Sequence, residues 1–350
     1  MKLESISSIK TLKGLTLEQL EQWMQEIGEK PFRAKQLFQW MYQKGVRSFD
    51  EMSSLSKNFR EKLSKGCILT TIKEKKIVKS GLDKTIKYLF ELNDGNLIES
   101  VYMIEGKRVT VCLSTQVGCP IRCPHCATGL MKFKRNLTTG EIVDQLLWIN
   151  SNSKMPITNV VFMGMGEPFL NYENTINAAN ILNSECGQEI SARKITISTC
   201  GITTAMYRYA EEKHKFKLAI SLNGTTDDQR NQLVPINKKY SIKELLEASL
   251  FYTRKSHKKV TFEYILIADF NDSHSDARRL VKLLSPIPCK LNIIPFNENR
   301  HVTYKCPSEE TLEKFIKEVY RAPFIVTVRR SKGVDIAAAC GQLYTDEIHS

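Results

Sequence analysis

The sequence predicts an α/β protein whose larger part is a parallel sheet with helices between its strands. Two observations carry this. From about residue 109, short runs rich in β-branched residues recur: "VTVCLSTQ", "TNVVFMG", "KITIST", "FKLAISL", "VTFEYILI" and "KLNIIPF", with a further run in "FIVTVRR" at 324–330. Helical patterns separate these runs, and two of them open on capping boxes, Thr138-x-x-Glu141 and Ser241-x-x-Glu244. Strand–helix alternation of this kind means right-handed βαβ units. Six such units suit a partial or complete barrel, with a doubly wound open sheet as the alternative. In either case the loops beyond the strand C-termini should carry the chemistry.

The elements before residue 109 read differently. Residues 1–65 are helical in pattern. One helix begins at Thr16, has Glu18 and Glu21 early, and ends at Gly28. A second opens at Pro31, repeats Phe32, Leu37, Phe38 and Met41 at helical spacing, and stops at Gly45. Its aromatic residues read as core, while Arg33, Lys35 and Lys44 dot the outside. The stretch "TIKEKKIVKSG" follows, with Lys73, Lys75, Lys76 and Lys79, and suits either a solvated edge strand or a phosphate-contacting surface. Residues 85–104 form two strand-like runs around Asn93-Asp94-Gly95-Asn96, a strong hairpin signal. The domain expectation is therefore a helical accessory domain at 1–84, a β-hairpin linker at 85–104, a core domain at 105–335 and a C-terminal tail at 336–350.

Composition narrows the class. The 350 residues carry 51 Lys and Arg against 38 Asp and Glu, a formal net charge of +13. That excess favours a polyanionic partner, nucleic acid first. The start, "MKLESISSIK", is too polar for a signal peptide, and no stretch approaches the ~20 apolar residues of a membrane span. Ten cysteines without an export signal read as reduced thiols, metal ligands or catalytic groups in a cytoplasmic protein.

Three of those cysteines, Cys119, Cys123 and Cys126, fall within eight positions of "QVGCPIRCPHCATG", directly after the first strand of the alternating region. A structural zinc site needs a fourth ligand. His125 is in the loop, but it directly precedes Cys126, which makes one shared tetrahedral centre awkward. Ordinary buried cysteines are a poor account of a loop holding Gly118 and Pro120. A 4Fe–4S cluster held by three thiolates, with one iron open to an exogenous ligand, fits the spacing and the position. Other polar residues gather at strand ends too: "GMGEP" after the second strand, Ser198 and Thr199 at the third, Ser221 and Asn223 at the fourth.

With its CxxxCxxC loop the sequence resembles the radical S-adenosylmethionine superfamily, which implies a partial (β/α)6 barrel. It also implies that the open iron takes the amino and carboxylate groups of S-adenosylmethionine. By that resemblance Gly166 and Glu167 in "MGMGEP" contact the methionyl amino group. Ser198, Ser221, Leu222, Asn223 and Asn297 match cofactor-binding positions. A phosphate loop is the rival reading of "GMGEP", but no Lys follows and Glu167 would repel phosphate. Two positions depart from the superfamily pattern. His125 stands where Phe or Tyr is frequent, and Asn223 where Ser-Leu-His is common.

Four stretches narrow the resemblance: "PFRAKQLFQWMY", "CLSTQVGCPIRCPHCATG" with "KRNLT", "VVFMGMGEP" and "GVDIAAACGQL". Together they resemble the adenine-C2 methyltransferases of 23S ribosomal RNA and transfer RNA, from about residue 14 to residue 344. The resemblance implies that Cys340 is catalytic. One S-adenosylmethionine methylates it, and a second, cleaved at the cluster, provides the radical that activates the S-methyl group for addition to C2. It implies that Cys112 resolves the covalent adduct through a transient disulfide with Cys340, and that Glu99 accepts the C2 proton. An electron donor such as a flavodoxin- or ferredoxin-like protein is implied as well. The target carbon makes sense of this route: C2 lies between two ring nitrogens, is electron-poor, and cannot attack a sulfonium methyl. Methylation of adenine C8 in the same ribosomal nucleotide, which gives antibiotic resistance, is the sister activity. A non-catalytic RNA-binding protein with a structural zinc site is the alternative from another class. Cys67, Cys186, Cys200, Cys289 and Cys306 match no functional position.

Overall fold

The computed structural model describes residues 10–345. The polar start read against a leader and the last five residues of the tail lie outside the described residues. Helix α1, Leu17–Glu26, starts where the Thr16 side chain accepts the Gln19 N–H at 3.3 Å and the Gln19 side chain accepts the Thr16 N–H at 2.9 Å. Two of the amides that a helix start leaves without partners are thus satisfied. Helix α2, Phe32–Phe38, continues into a π turn at Gln39–Gln43, and α3 spans Lys57–Gly66. Leu20, Trp23, Leu37, Phe38, Met41 and Phe59 are buried. Phe32 is the exception among the expected core residues, at 56% exposed.

The chain before α1 is pinned to the larger domain. Lys13 is buried and pairs with Asp144 at 3.3 Å, and Asp144 also accepts the Thr71 N–H and hydroxyl at 2.8 and 2.6 Å. A Cβ on Gly14 would lie 2.5 Å from the Gly140 nitrogen, so the segment can sit on the helix start at Gly140 only as glycine.

Ten strands form the large sheet among the described residues. Ile72–Lys79 (β1), Ile86–Leu92 (β2), Leu97–Glu105 (β3) and Arg108–Cys112 (β4) are antiparallel neighbours. Asn159–Phe162 (β5), Ile195–Thr199 (β6), Lys217–Ser221 (β7), Val260–Leu266 (β8), Cys289–Pro295 (β9) and Ile325–Val328 (β10) continue from β4 in parallel. Helices Thr139–Asn152 (α4), Tyr172–Asn183 (α5), Thr203–Glu211 (α6), Asp227–Leu233 (α7), Ile242–Ser256 (α8), His274–Leu284 (α9) and Glu309–Val319 (α10) fill the crossovers. Neighbouring strands follow strict chain order from β1 to β10. A doubly wound sheet needs a reversal of strand order, and this one has none. Right-handed crossovers in sequential order put the helices on one face and curl the sheet into a partial barrel.

The hairpin is β2–β3, turning at Gly95 with φ +80°. It is hydrogen-bonded into the large sheet through β3 and β4. The lysine-rich stretch is the edge strand beyond it, with Lys73, Lys75, Lys76 and Lys79 exposed, as suits an edge that must not pair further. Among the described residues no helix is long and apolar enough to cross a membrane.

Candidate active site

The loop holding the three cysteines leaves β4 and is clasped at its base, where Gln116–Val117 pairs antiparallel with Arg135–Asn136. None of the three is in a disulfide. Burial pushes the Cys119 thiol up to about 12 and raises Cys123 and Cys126 as well. Cys119 feels Cys126, Cys123 feels both of the others, and Cys126 feels Cys340 as a like charge. Against that, the Ile121 and Arg122 amides donate to the Cys119 sulfur, and the Gly129 and Thr128 amides to that of Cys126. Amides aimed at sulfur favour thiolate, the form that binds metal. Among the described residues no three His, Cys, Asp or Glu side chains converge on one ion position. A tetrahedral zinc site needs such convergence. A cluster takes one thiolate on each of three different irons, an arrangement that needs no single point of convergence. His125 is buried and its ring faces the Leu233 carbonyl, with Nδ1 unpartnered.

A cavity opens above this loop at the C-terminal ends of the parallel strands. Cys119, Cys123 and Cys126 line it, together with Gly166, Glu167, Ser198, Ser221, Asn223 and Cys340. Gly166 has φ +101°, and a Cβ there would come within 2.5 Å of the Gln116 side chain. The turn therefore needs glycine to bring backbone to the cavity. Glu167 is buried, and its carboxylate accepts the Phe169 and Cys200 amides at 2.9 and 2.7 Å. Asn223 adopts a left-handed φ of +56° and accepts the Ile265 N–H through Oδ1 at 3.0 Å. Leu222 is fully buried, and neither it nor Asn297 lines the cavity.

The tail crosses the mouth of this cavity. Asn297 Nδ2 donates to the Cys340 carbonyl at 3.0 Å, the Ala127 amide to the Gly341 carbonyl at 2.7 Å, and Thr128 Oγ1 to the Leu343 carbonyl at 2.7 Å. The last two donors directly follow Cys126, so the tail is fastened to the cysteine loop itself. Cys340 lines a second cavity too, shared with Cys112, Cys126, Met163 and Arg329. The two predicted thiols therefore face one space. Burial pushes Cys112 up to about 12, and Cys340 is raised for the same reason. Glu99 is buried beside these cavities rather than in them. It pairs with Lys87 at 2.9 Å and accepts the Tyr344 N–H at 3.0 Å.

Sequence reasoning missed four residues here. Cys200 and Glu263 line the first cavity, and Arg329 the second. Arg230 on α7 is fully buried behind the first. Its guanidinium donates to the carbonyls of Leu222 (3.0 Å), Ser221 (3.3 Å) and Cys200, and to Asn237 Oδ1 at 2.8 Å. It thus ties together the ends of β6 and β7. Arg230→Met should lower stability by about 3 kcal/mol or more, because each buried carbonyl left without a donor costs about 1–3 kcal/mol. Urea unfolding checks this; an unchanged midpoint would mean that water replaces the guanidinium.

Residues 10–69 match the Ribosomal RNA large subunit methyltransferase N-terminal domain, and residues 113–281 the Radical SAM superfamily. The chain is 43% identical over 332 residues to the dual-specificity RNA methyltransferase RlmN of Geotalea uraniireducens, covering 95% of this chain and 96% of that one. It is 46% identical over 344 residues to a probable dual-specificity RNA methyltransferase RlmN of a Thermotoga species, covering 98% and 99%. A radical SAM methyltransferase from Sphaerobacter thermophilus, known from its crystal structure, superposes with a TM-score of 0.92 at 41% identity, over 95% of this chain and 99% of that one.

Proposed function

The chain belongs to the RlmN family of dual-specificity RNA methyltransferases, and on that premise we propose that it methylates C2 of adenine in 23S ribosomal RNA and transfer RNA, with Cys340 as methyl carrier. One observation supports this above the others: Cys340 stands where the two cavities meet, one walled by the cluster cysteines and the other by Cys112. When bound, a 4Fe–4S cluster on Cys119, Cys123 and Cys126 with S-adenosylmethionine supplies the methyl group and the one-electron chemistry, two cofactor molecules per turnover.

The chain's own groups do the rest. Glu167 offers a carboxylate to the methionyl ammonium. Gly166, Ser198, Ser221 and Asn223 orient the cofactor from the strand ends, while Leu222 and Asn297 act from behind that wall. Asn297 also holds the Cys340 backbone. Cys340 presents its S-methyl carbon to C2. Glu99, kept beside Lys87, takes the C2 proton once the nucleotide displaces the Tyr344 amide. Cys112, losing its proton, then attacks Cys340 Sγ: the sulfur–sulfur bond forms, the sulfur–carbon bond breaks, and the carbon keeps the electron pair, takes up a proton and stays on the base as the methyl group. RNA is gathered by the exposed lysines of β1 and the N-terminal helices, chiefly through phosphates. A flavodoxin- or ferredoxin-like carrier delivers the electron, in the cytoplasm where the RNA is.

Digestion of treated RNA to nucleosides, read by mass spectrometry, tests the reading. The expected product is 2-methyladenosine. Recovery of 8-methyladenosine instead would assign the chain the sister activity.

A further inference from the structure

Two cationic side chains line the thiol cavity, Arg329 and Lys332, and neither has a part in the scheme above. Arg329 follows β10, and its amide donates to the Ile293 carbonyl at 2.8 Å, so the residue is fixed at a strand end. Its side chain lines the cavity that holds Cys112 and Cys340, against the apolar surfaces of Met103, Val161 and Met163. Cys340, Glu263 and Cys112 all lie within its electrostatic reach. Among the described residues its one ion pair is a loose one, to Glu263 Oε1 at 3.9 Å. A guanidinium carries five N–H donors in a planar fork. Here that fork is partly shielded, lines the cavity that the two thiols share, and has one loose partner.

For a carbon on Cys340 to reach adenine C2 while Cys112 stays within reach of Cys340, C2 must enter this cavity. C2 is flanked by N1 and N3, which bring two in-plane acceptors with them. We propose that Arg329 is a catalytic and specificity-determining residue that donates a hydrogen bond to one of the two ring nitrogens beside C2. The inference rests on the C2 reading above. In the step it assists, a radical on the S-methyl carbon of Cys340 adds to C2. One carbon–carbon bond forms, from the radical electron and one electron of the C2–N π bond. The other π electron stays on the ring, and no proton or leaving group departs. A charged donor at the flanking nitrogen makes C2 more electron-poor beforehand and steadies the electron density that collects on that nitrogen. It also selects adenine over guanine, whose N1 carries a proton and whose C2 carries an amino group.

The test is a double-mutant cycle on the holoenzyme. Wild type and Arg329→Met are assayed in single turnover on RNA carrying adenosine, 1-deazaadenosine or 3-deazaadenosine at the target position, with cluster iron content as the control for folding. On adenosine RNA, Arg329→Met should slow methyl transfer about a hundredfold, the scale of losing one preorganised donor. On whichever deaza RNA lacks the contacted nitrogen, wild type and variant should react at nearly the same rate, while the other deaza RNA keeps the full difference. Equal losses on all three RNAs would overturn the proposal, since Arg329 would then act without touching N1 or N3. Failure of Arg329→Met to load a methyl group on Cys340 would overturn it too, by placing the arginine's role at the thiol. A wild type that gives no 2-methyladenosine at all would instead sink the C2 reading, and the cycle separates that case because it starts from the wild-type product.

Discussion

Cys123→Ala protein, purified without oxygen, should hold only trace iron and produce no methylated RNA. Wild type should hold about four irons per chain. The argument is one of ligand number and position. In the proposed assignment each of the three loop thiols serves a different iron, and the loop offers no spare cysteine. His125 cannot step in, because its buried ring is turned to the Leu233 carbonyl. Cys200 is the one further cysteine on the cavity wall besides Cys340. It is close enough to Cys123 to feel its charge, which makes it the informative control. Its amide and its thiol both donate to the Glu167 carboxylate, and its sulfur is not one of the three in the loop, so Cys200→Ala should keep its iron. Metal analysis reads both variants. A Cys123→Ala protein that retains four irons, or a wild type with stoichiometric zinc and no iron, would remove the cluster from this loop.

The parts of this site that the sequence made legible are those carried by neighbours in the chain. Cys119, Cys123 and Cys126 are eight positions wide, and "MGMGEP" is six, so spacing alone states a chemistry. The alternation of apolar runs with capped helices likewise predicts the parallel sheet, because strands covered on both faces must be apolar throughout. What spacing does not carry is any residue whose meaning depends on distant chain. Arg230 sits in "TTDDQRNQL", which reads as a solvated helix face, and only the approach of β6 and β7 buries it. Arg329 in "TVRR" looks like a strand-end charge until the tail folds Cys340 against it. Asn297 was legible as a polar strand end, but its reach to the tail carbonyl was not. The hairpin was legible as a hairpin from Asn93-Asp94-Gly95-Asn96. Its place in the sheet was not, because edge pairing is decided by β3 meeting β4 and leaves no local mark.

Cys340→Ala and Cys112→Ala should both stop turnover, and they should fail at different points. Both thiols face one cavity, and burial raises each above its ordinary range, so at neutral pH both rest as thiols. Cys340→Ala lacks the methyl carrier. It should keep its iron, because neither Cys340 nor its neighbours on the tail supply a cluster thiolate, yet form no adduct and no methylated RNA. Cys112→Ala still has the carrier and the target carbon. It should load Cys340, join it to C2 and then stall, since no second sulfur is available to break the sulfur–carbon bond. Glu99 lies on the adjacent strand and has no sulfur, and the proposal assigns Cys126 to the cluster, so neither replaces it. The stalled protein should carry RNA through denaturing purification, approaching one nucleic acid per chain, and lose it on nuclease digestion to leave a mass increment on the peptide holding Cys340. The double variant should show no trapped RNA, because loading precedes trapping. Normal turnover by Cys112→Ala, with no nucleic acid retained, would return Cys112 to an ordinary buried strand residue and leave adduct release to some other group.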